Sequence, residues 1–225
     1  MKKIFMVVLS LVLVFTFAGC KKEDEVAAFE FDVPDSFNVN IQELTYGKYV
    51  SLSNPVVTIN VREMGEITLQ LFPSIAPNTV NSFIKYIQDG SYTNNQFHRV
   101  INEFMIQGGL LDDPVCTIAG EMTNNDFDNE LSHTLGVLSM ARVGEDYDSA
   151  SSQFFIVHRT TLSLDGEYAS FGGVVSGFHI LDYIASLNDA EVNEIPIVPV
   201  YIDSITVDLN GYVPGNQICI TEEAD

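Results

Sequence analysis

The sequence predicts a mainly β fold, an antiparallel barrel whose ends are capped by two helices. Three observations support this fold class. Segments rich in β-branched and aromatic residues recur along the chain, only two segments have the periodicity of amphipathic helices, and one stretch, residues 54–210, contains all of them. That stretch is long enough to bury a sizeable core, so we expect it to form one domain.

Strands make up most of the predicted elements. Residues 56–61 and 66–71 are rich in β-branched side chains, and Met64-Gly65 between them favours a turn, so we expect a hairpin. The later predicted strands are 95–99, 105–107, 136–140, 153–157, 170–175 and 202–209.

Two segments have helical periodicity. The first begins at Pro77, a residue that suits the first turn of a helix, and ends at Gly90. The second is predicted at residues 178–187. The apolar residues that repeat at helical spacing in the first helix are Val80, Phe83, Ile84 and Ile87.

The N-terminus has the composition of a bacterial secretory signal. Two lysines precede an almost wholly apolar run, residues 4–17, which is shorter than the roughly 20 residues that span a bilayer. Ala-Gly-Cys20 follows and resembles a lipobox, in which the cysteine is lipidated. We therefore expect residues 1–19 to be removed as a lipoprotein signal peptide and a diacylglyceryl group on Cys20 to anchor the chain. An uncleaved anchor or an ordinary signal peptide is the alternative.

The flanks of the domain are charged. Residues 20–53 are predicted to form a tether and N-terminal extension, and residues 211–225 an acidic C-terminal tail. The whole chain has a net charge of −21, and removal of Lys2 and Lys3 with the signal would make it −23. This sign excludes nucleic-acid binding through phosphate neutralisation and disfavours docking on anionic lipid. The acidity favours solubility over a dedicated acidic docking surface.

Two cysteines remain after Cys20. Cys116 and Cys219 are separated by most of the domain, and sequence alone cannot bring them within bonding distance. A disulfide is allowed outside the cytoplasm, but we expect buried or free thiols. The chain has no C-x-x-C motif, so neither zinc nor thioredoxin-like chemistry is indicated.

Two motifs carry the functional information. Residues 97–109 read F-H-R-V-I-N-E-F-M-I-Q-G-G, and residues 152–156 read S-Q-F-F-I. Together they resemble the two halves of the active site of cyclophilins, which are peptidyl-prolyl cis-trans isomerases. The resemblance extends from 56 to 209 and implies a closed eight-stranded antiparallel cyclophilin-like barrel. The interior of an eight-stranded barrel is filled by side chains, so the site is expected on the outer surface.

The resemblance also implies roles for individual residues. Arg99 would be the hydrogen-bond donor of catalysis, and Ser163 and Tyr168 depart from the residues that many relatives have in the groove. The implied catalytic residues are Arg99, Phe104, Gln107 and Phe155. The implied substrate-binding residues are Met105, Ala141, Arg142, Gln153, Leu164 and Tyr168. Taken singly, the arginines would be surface ion-pair residues, the glutamines would bond their own loops, and the apolar residues would belong to the core.

Rotation about an X-Pro bond needs no metal and no cofactor, and we expect neither. The expected partners are proline-containing peptides and unfolded secreted proteins, and the expected location is extracytoplasmic, on the membrane, as a monomer. One alternative is a non-catalytic proline-peptide-binding module or holdase that uses the same groove. A metal-dependent hydrolase is a further alternative, but the sequence lacks a set of ligands for it.

Overall fold

One antiparallel sheet and two helices make up the fold in the computed structural model, which describes residues 31–34, 39–188 and 194–220. Within those residues the elements are β1 Val56–Val61, β2 Gly65–Leu71, α1 Pro77–Gln88, β3 Asn95–Gln96, β4 Arg99–Ile101, β5 Met105–Gly108, β6 Val137–Met140, β7 Phe154–Val157, β8 Ser170–Ser176, α2 Phe178–Ser186 and β9 Tyr201–Asp208. The strand order is β3-β9-β1-β2-β8-β6-β7-β5-β4. All paired strands are antiparallel.

The predicted mainly β fold with two helices is confirmed, but the closed eight-stranded barrel is wrong. The sheet is open and has nine strands among the described residues. The difference arises in the predicted strand 95–99, which bends at the fully buried Phe97 and supplies β3 to one edge of the sheet and β4 to the other. The N–H of Phe97 donates to Val200 O at 3.0 Å and that of Val100 to Glu194 O at 2.7 Å. The two edge strands are therefore consecutive in the chain without pairing with each other.

The helix α1 covers the core with the apolar face that its periodicity predicted. Its four predicted apolar residues are all buried. The ring of Phe83 lies 5.3 Å from that of Phe154 and 5.2 Å from that of Phe171, both in edge-on geometry. Edge-to-face aromatic pairs add to the free energy gained by burying the rings. The aromatic cluster therefore fixes α1 against the strands β7 and β8.

The N-terminus of α1 is capped by a distant carboxylate. Its N-cap residue, Ala76, has no side chain that can accept a hydrogen bond. Glu121, which is buried, accepts from the N–H of Asn78 at 3.0 Å through Oε1 and from the N–H of Thr79 at 2.7 Å through Oε2. A negative charge at this end of a helix satisfies free N–H groups and interacts favourably with the helix dipole. Glu121 thereby joins the loop before β6 to α1.

The C-terminal segment is joined to the domain by a disulfide bond. The expectation of buried or free thiols is wrong, because Cys116 and Cys219 form a disulfide with their Cα atoms 5.8 Å apart. Asn78 of α1 donates to Ile218 O at 2.9 Å and accepts from the N–H of Ile218 at 2.8 Å. The side chain of Gln217 donates to Ser82 Oγ at 2.9 Å. Most of the predicted tail 211–225 therefore lies along α1, and its last five residues are outside the described part.

The segment before β1 also packs on the sheet. Tyr46, which belongs to the predicted extension 20–53, is fully buried and donates to Val174 O at 2.7 Å. Burial raises the pKa of this phenol above its usual value. The predicted signal peptide and Cys20 lie outside the described residues. Among the residues that are described, no helix has both the length and the apolar character needed to cross a bilayer.

Candidate active site

A cavity on the outer face of the sheet brings together nearly all of the predicted site residues. Its volume is about 120 Å³, which leaves room for one small group. Nine of the ten predicted catalytic and substrate-binding residues line it: Arg99, Phe104, Met105, Gln107, Ala141, Arg142, Phe155, Leu164 and Tyr168. The tenth, Gln153, contacts the cavity through Gln107, whose Nε2 donates to Gln153 Oε1 at 2.9 Å.

The register of the sheet explains why these residues meet. Arg99 on β4 pairs with Gln107 on β5, and Gln107 pairs with Phe155 on β7. Residues directly opposite each other on antiparallel strands have their side chains on the same face. Met105 lies two residues before Gln107, so the period of two puts it on that face as well. Three strands thus line up a cation, an amide and an aromatic ring in one row.

Three hydrogen bonds fix the guanidinium of Arg99, the longest of them from its Nη1 to Met105 Sδ at 3.9 Å. Its Nε donates to Glu194 Oε2 at 2.6 Å, and its Nη1 donates to Gln107 Oε1 at 3.3 Å. The hydrogen bond from Arg99 lowers the pKa of the Glu194 carboxyl. The side chain of Arg99 is 34% exposed, and its Nη2 makes no hydrogen bond to any described residue. Arg99 therefore retains a donor that can serve a bound molecule.

The floor of the cavity is apolar and belongs to a hydrophobic cluster separate from the main core. Met105 is 1% exposed and Phe155 is 5% exposed. The ring of Tyr168 meets that of Phe155 edge-on at 5.6 Å. Phe104 and Leu164 pack against the same cluster from the rim. A small apolar ring would be desolvated here, in a cavity that Arg99 also lines.

A match to one family of enzymes covers this whole site. The family model described as cyclophilin type peptidyl-prolyl cis-trans isomerase/CLD matches residues 56–207, a span that includes every side chain lining the cavity. The chain belongs to this family. It is therefore a cyclophilin-type peptidyl-prolyl cis-trans isomerase, an enzyme that accelerates the interconversion of cis and trans X-Pro bonds.

Individual isomerases are similar over the same domain. Peptidyl-prolyl cis-trans isomerase B of Escherichia coli strain K12 is 38% identical over 155 residues, which cover 64% of this chain and 94% of that protein. The isomerase cypE of Dictyostelium discoideum is 38% identical over 145 residues, which cover 60% of this chain and 90% of that protein. A cyclophilin type isomerase of Cryptosporidium parvum, solved in the presence of the dipeptide Ala-Pro, has 28% identity and a TM-score of 0.61, with 68% of this chain and 98% of that chain covered.

In this isomerase Arg142 is a wall of the cavity rather than a free cation. Its side chain is only 7% exposed, and its Nη2 donates to Glu167 Oε2 at 2.9 Å. The guanidinium lies 4.7 Å from the ring centroid of Tyr147 and 4.8 Å from that of Tyr168. A cation stacked on aromatic faces and paired with a carboxylate has a fixed position. The charge of Arg142 is therefore paired within the protein, and Arg142 and Tyr168 together line one side of the cavity.

The isomerase also contains a Ser-His-Asp chain that no sequence spacing indicated. His133 Nε2 lies 3.0 Å from Ser139 Oγ, and His133 Nδ1 lies 2.9 Å from Asp165 Oδ1. Burial lowers the pKa of His133, although its hydrogen bond with Asp165 opposes this effect. The imidazole stacks on Phe155 with 6.0 Å between the ring centroids. Because Ser139 is fully buried, this chain supports the floor of the cavity and offers no accessible nucleophile.

Three further contributors to the site were missed by the sequence reasoning. Glu194 and Glu167 pair with the two arginines of the cavity, and Tyr147 stacks on one of them. All three lie outside the two motifs, in segments without a regular hydrophobic pattern. Only the excess of acidic residues over arginines was visible in the sequence, and it could not indicate which carboxylates would be partners.

Proposed function

We propose that Arg99 catalyses the isomerisation by donating a hydrogen bond to the nitrogen of the prolyl residue. The observation that carries this proposal is the row of Arg99, Gln107 and Phe155 across three paired strands, at one small cavity with an apolar floor. This row combines a free guanidinium donor, an amide held by other side chains, and an aromatic surface for the ring.

The chemistry of the X-Pro bond explains why these groups suffice. Amide resonance gives the bond a rotation barrier of about 18–20 kcal/mol, while the cis and trans forms differ by only about 0.5–1 kcal/mol. In the twisted state, resonance is lost and the prolyl nitrogen gains a lone pair that can accept a hydrogen bond. A donor that binds this nitrogen only in the twisted state lowers the barrier, and each 1.36 kcal/mol gained is worth about tenfold in rate.

The other cavity residues would hold the substrate during rotation. Phe104, Met105, Phe155 and Leu164 would bury the proline ring, which keeps one side of the bond fixed while the other side turns. Gln107 and Gln153 would bond the backbone next to it. Their mutual hydrogen bond of 2.9 Å, and the bond from Arg99 to Gln107, support this role because they fix the orientation of the Gln107 amide. Ala141, Arg142 and Tyr168 would form the wall along which the peptide lies.

We propose further that the enzyme is a bacterial lipoprotein, anchored outside the cytoplasm through Cys20. The supporting evidence is the pair of lysines, the short apolar run and the Ala-Gly-Cys20 ending in the sequence. The disulfide between Cys116 and Cys219 adds independent support, since disulfides persist in oxidising compartments and are rare in the cytoplasm. The net charge of −21 makes binding to anionic lipid head groups unfavourable. We therefore propose that the protein is held at the membrane by the lipid on Cys20 and not by electrostatic attraction, and that it is a monomer.

The location predicts a specific effect of Cys20→Ser. Without the thiol, no lipid can be attached, so the variant is expected to leave the membrane fraction, either as a released form or as an uncleaved precursor. Membrane and soluble fractions of cells that make each form, analysed by immunoblotting and by mass spectrometry of the N-terminus, would show this. A matched control is Cys116→Ser/Cys219→Ser, which retains Cys20 and should remain in the membrane fraction. An acyl-free, correctly cleaved Cys20→Ser protein that stays in the membrane would contradict the lipid anchor.

The clients we propose are unfolded secreted proteins whose folding rate is limited by cis-trans isomerisation of X-Pro bonds. Uncatalysed isomerisation takes about 10–100 s at 25 °C. In the refolding of a secreted protein with a native cis proline, we expect the enzyme to shorten the slow phase about tenfold or more, measured by stopped-flow fluorescence. A holdase that uses the same groove would raise the yield of folded protein and leave the rate of the slow phase unchanged. An unchanged rate with enzyme that is active on a short peptide would contradict the proposed role in folding.

A further inference from the structure

Among the described residues, the loop residue Glu194 hydrogen-bonds to the edge strand β4, which carries Arg99. Val100, the next residue on β4, donates its N–H to Glu194 O at 2.7 Å. The carboxylate of the same residue accepts from Arg99 Nε at 2.6 Å. Both the backbone and the side chain of Glu194 are therefore bound to β4, so the carboxylate has a fixed position relative to the cavity.

The backbone of Glu194 is held in an unusual conformation. Its φ of 72° lies in the left-handed region, which a residue with a Cβ rarely adopts and which persists where the surroundings impose it. Here the surroundings are the two hydrogen bonds to β4. This conformation turns the backbone oxygen of Glu194 toward Val100 while its side chain reaches Arg99.

The two oxygen partners of Arg99 accept from different nitrogens of its guanidinium, and Met105 Sδ makes a longer contact of 3.9 Å with Nη1. Glu194 accepts a hydrogen bond from Nε, the nitrogen nearest the flexible stem, and Gln107 accepts one from Nη1. A planar guanidinium held at two of its nitrogens has no freedom left to rotate about its stem. The remaining nitrogen, Nη2, has no hydrogen-bond partner among the described residues and is held at one angle with the rest of the group. Without Glu194 the guanidinium would be held only at Nη1, by the longer bond to Gln107 and the 3.9 Å contact with Met105 Sδ.

We propose that Glu194 is a positioning residue for catalysis, which holds the guanidinium of Arg99 in the orientation that donates to the prolyl nitrogen. The proposal rests on the role of Arg99 given above, because Glu194 does not line the cavity and would act through Arg99. Both side chains are partly exposed, 34% for Arg99 and 48% for Glu194, so solvent screens the pairing of charges and leaves Arg99 a competent donor. The contribution of Glu194 is therefore geometric rather than a change in the charge of the site.

The test compares Glu194→Ala with a matched control, Glu103→Ala. Glu103 also has a left-handed backbone, with a φ of 61°, and its carboxylate also pairs with an arginine Nε, that of Arg159, at 3.0 Å. Arg159 does not line the cavity. We expect Glu194→Ala to lower kcat/KM on an X-Pro peptide about tenfold, mainly through kcat, because misorientation of a catalytic group weakens its interaction with the transition state. Glu103→Ala should change kcat/KM less than about twofold.

A second variant and a spectroscopic signal separate positioning from a loss of structure. Glu194→Gln keeps an oxygen that can accept from Nε and should retain more activity than Glu194→Ala. In ¹H–¹⁵N spectra, the Nε–H of Arg99, assigned by its absence from Arg99→Lys, should exchange faster with water in Glu194→Ala while the amide signals of β5 and β7 stay in place. A thermal unfolding curve of each variant shows whether it is folded.

The outcomes distinguish this inference from the role of Arg99. If Arg99→Ala abolishes activity while a folded Glu194→Ala remains fully active, the positioning role is wrong and the donor role stands. Activity that rises in Glu194→Ala would also overturn the inference, since Glu194 would then restrain the donor. If Arg99→Ala itself remains active, the donor role of Arg99 is wrong, and the positioning role of Glu194 is wrong with it.

Discussion

Arg99→Ala is expected to lower kcat/KM on an X-Pro peptide by about 100–1,000-fold while the protein stays folded. Removal of one preorganised donor aimed at developing charge costs about that much in other enzymes. Among the described residues that line the cavity, Arg99 is the only cation with a guanidinium nitrogen that makes no hydrogen bond within the protein. The fold should tolerate the change because the side chain is partly exposed at the edge of the sheet, where water can replace its bonds to Glu194 and Gln107. The measurement is a coupled isomerisation assay, with thermal unfolding as the check on folding.

Two further variants make this result specific. Arg99→Lys keeps the charge but loses the planar fork that reaches two partners at once, so we expect at least about a tenfold loss. Arg159→Ala removes a cation of the same type from an exposed ion pair with Glu103 and should leave kcat/KM within about twofold of the original. Near-normal turnover by a folded Arg99→Ala protein would contradict the proposed mechanism.

The predicted parts of the site were those encoded by short segments. The motif at 97–109 contains Arg99 and Gln107 on two strands joined by a tight turn, so their opposition follows from a local hairpin. Phe155 joins the row because β7 pairs with β5, a long-range contact that only the resemblance to a known family could supply. The two helices and the first hairpin also depend on short sequence patterns, and their predicted boundaries lie within a few residues of those observed.

The parts that were missed depend on contacts that no local pattern records. The bend at Phe97 divides one predicted strand between the two edges of the sheet, because burial of that ring outweighs continuation of the strand. The selection of Glu194 as the partner of Arg99 depends on where an irregular loop crosses β4. In the same way, the expectation of free thiols failed because the proximity of Cys116 and Cys219 is created by the C-terminal segment lying along α1.

Loss of the disulfide is expected to produce the largest change in stability. Cys116 and Cys219 are 103 residues apart in the chain, so the bond restricts a long loop of the unfolded chain. A link of this kind typically contributes about 2–4 kcal/mol. The variant Cys116→Ser/Cys219→Ser should therefore lose about that much free energy of unfolding, with Tm lowered by roughly 5–15 °C. Chemical and thermal denaturation followed by circular dichroism would measure both quantities.

Reductant supplies a control that separates the bond from the substitutions. The original protein treated with reductant should fall to the stability of the variant, whereas the variant itself should not respond. Its kcat/KM at 25 °C should remain within about twofold of the original, because neither cysteine nor any residue of 211–220 lines the cavity. The hydrogen bonds of Asn78 with Ile218 and of Gln217 with Ser82 would then have to hold the C-terminal segment on α1 without covalent support. Equal stability of the oxidised protein, the reduced protein and the variant would show that the two cysteines are not linked in solution, and it would remove the independent support that the disulfide gives to an extracytoplasmic location.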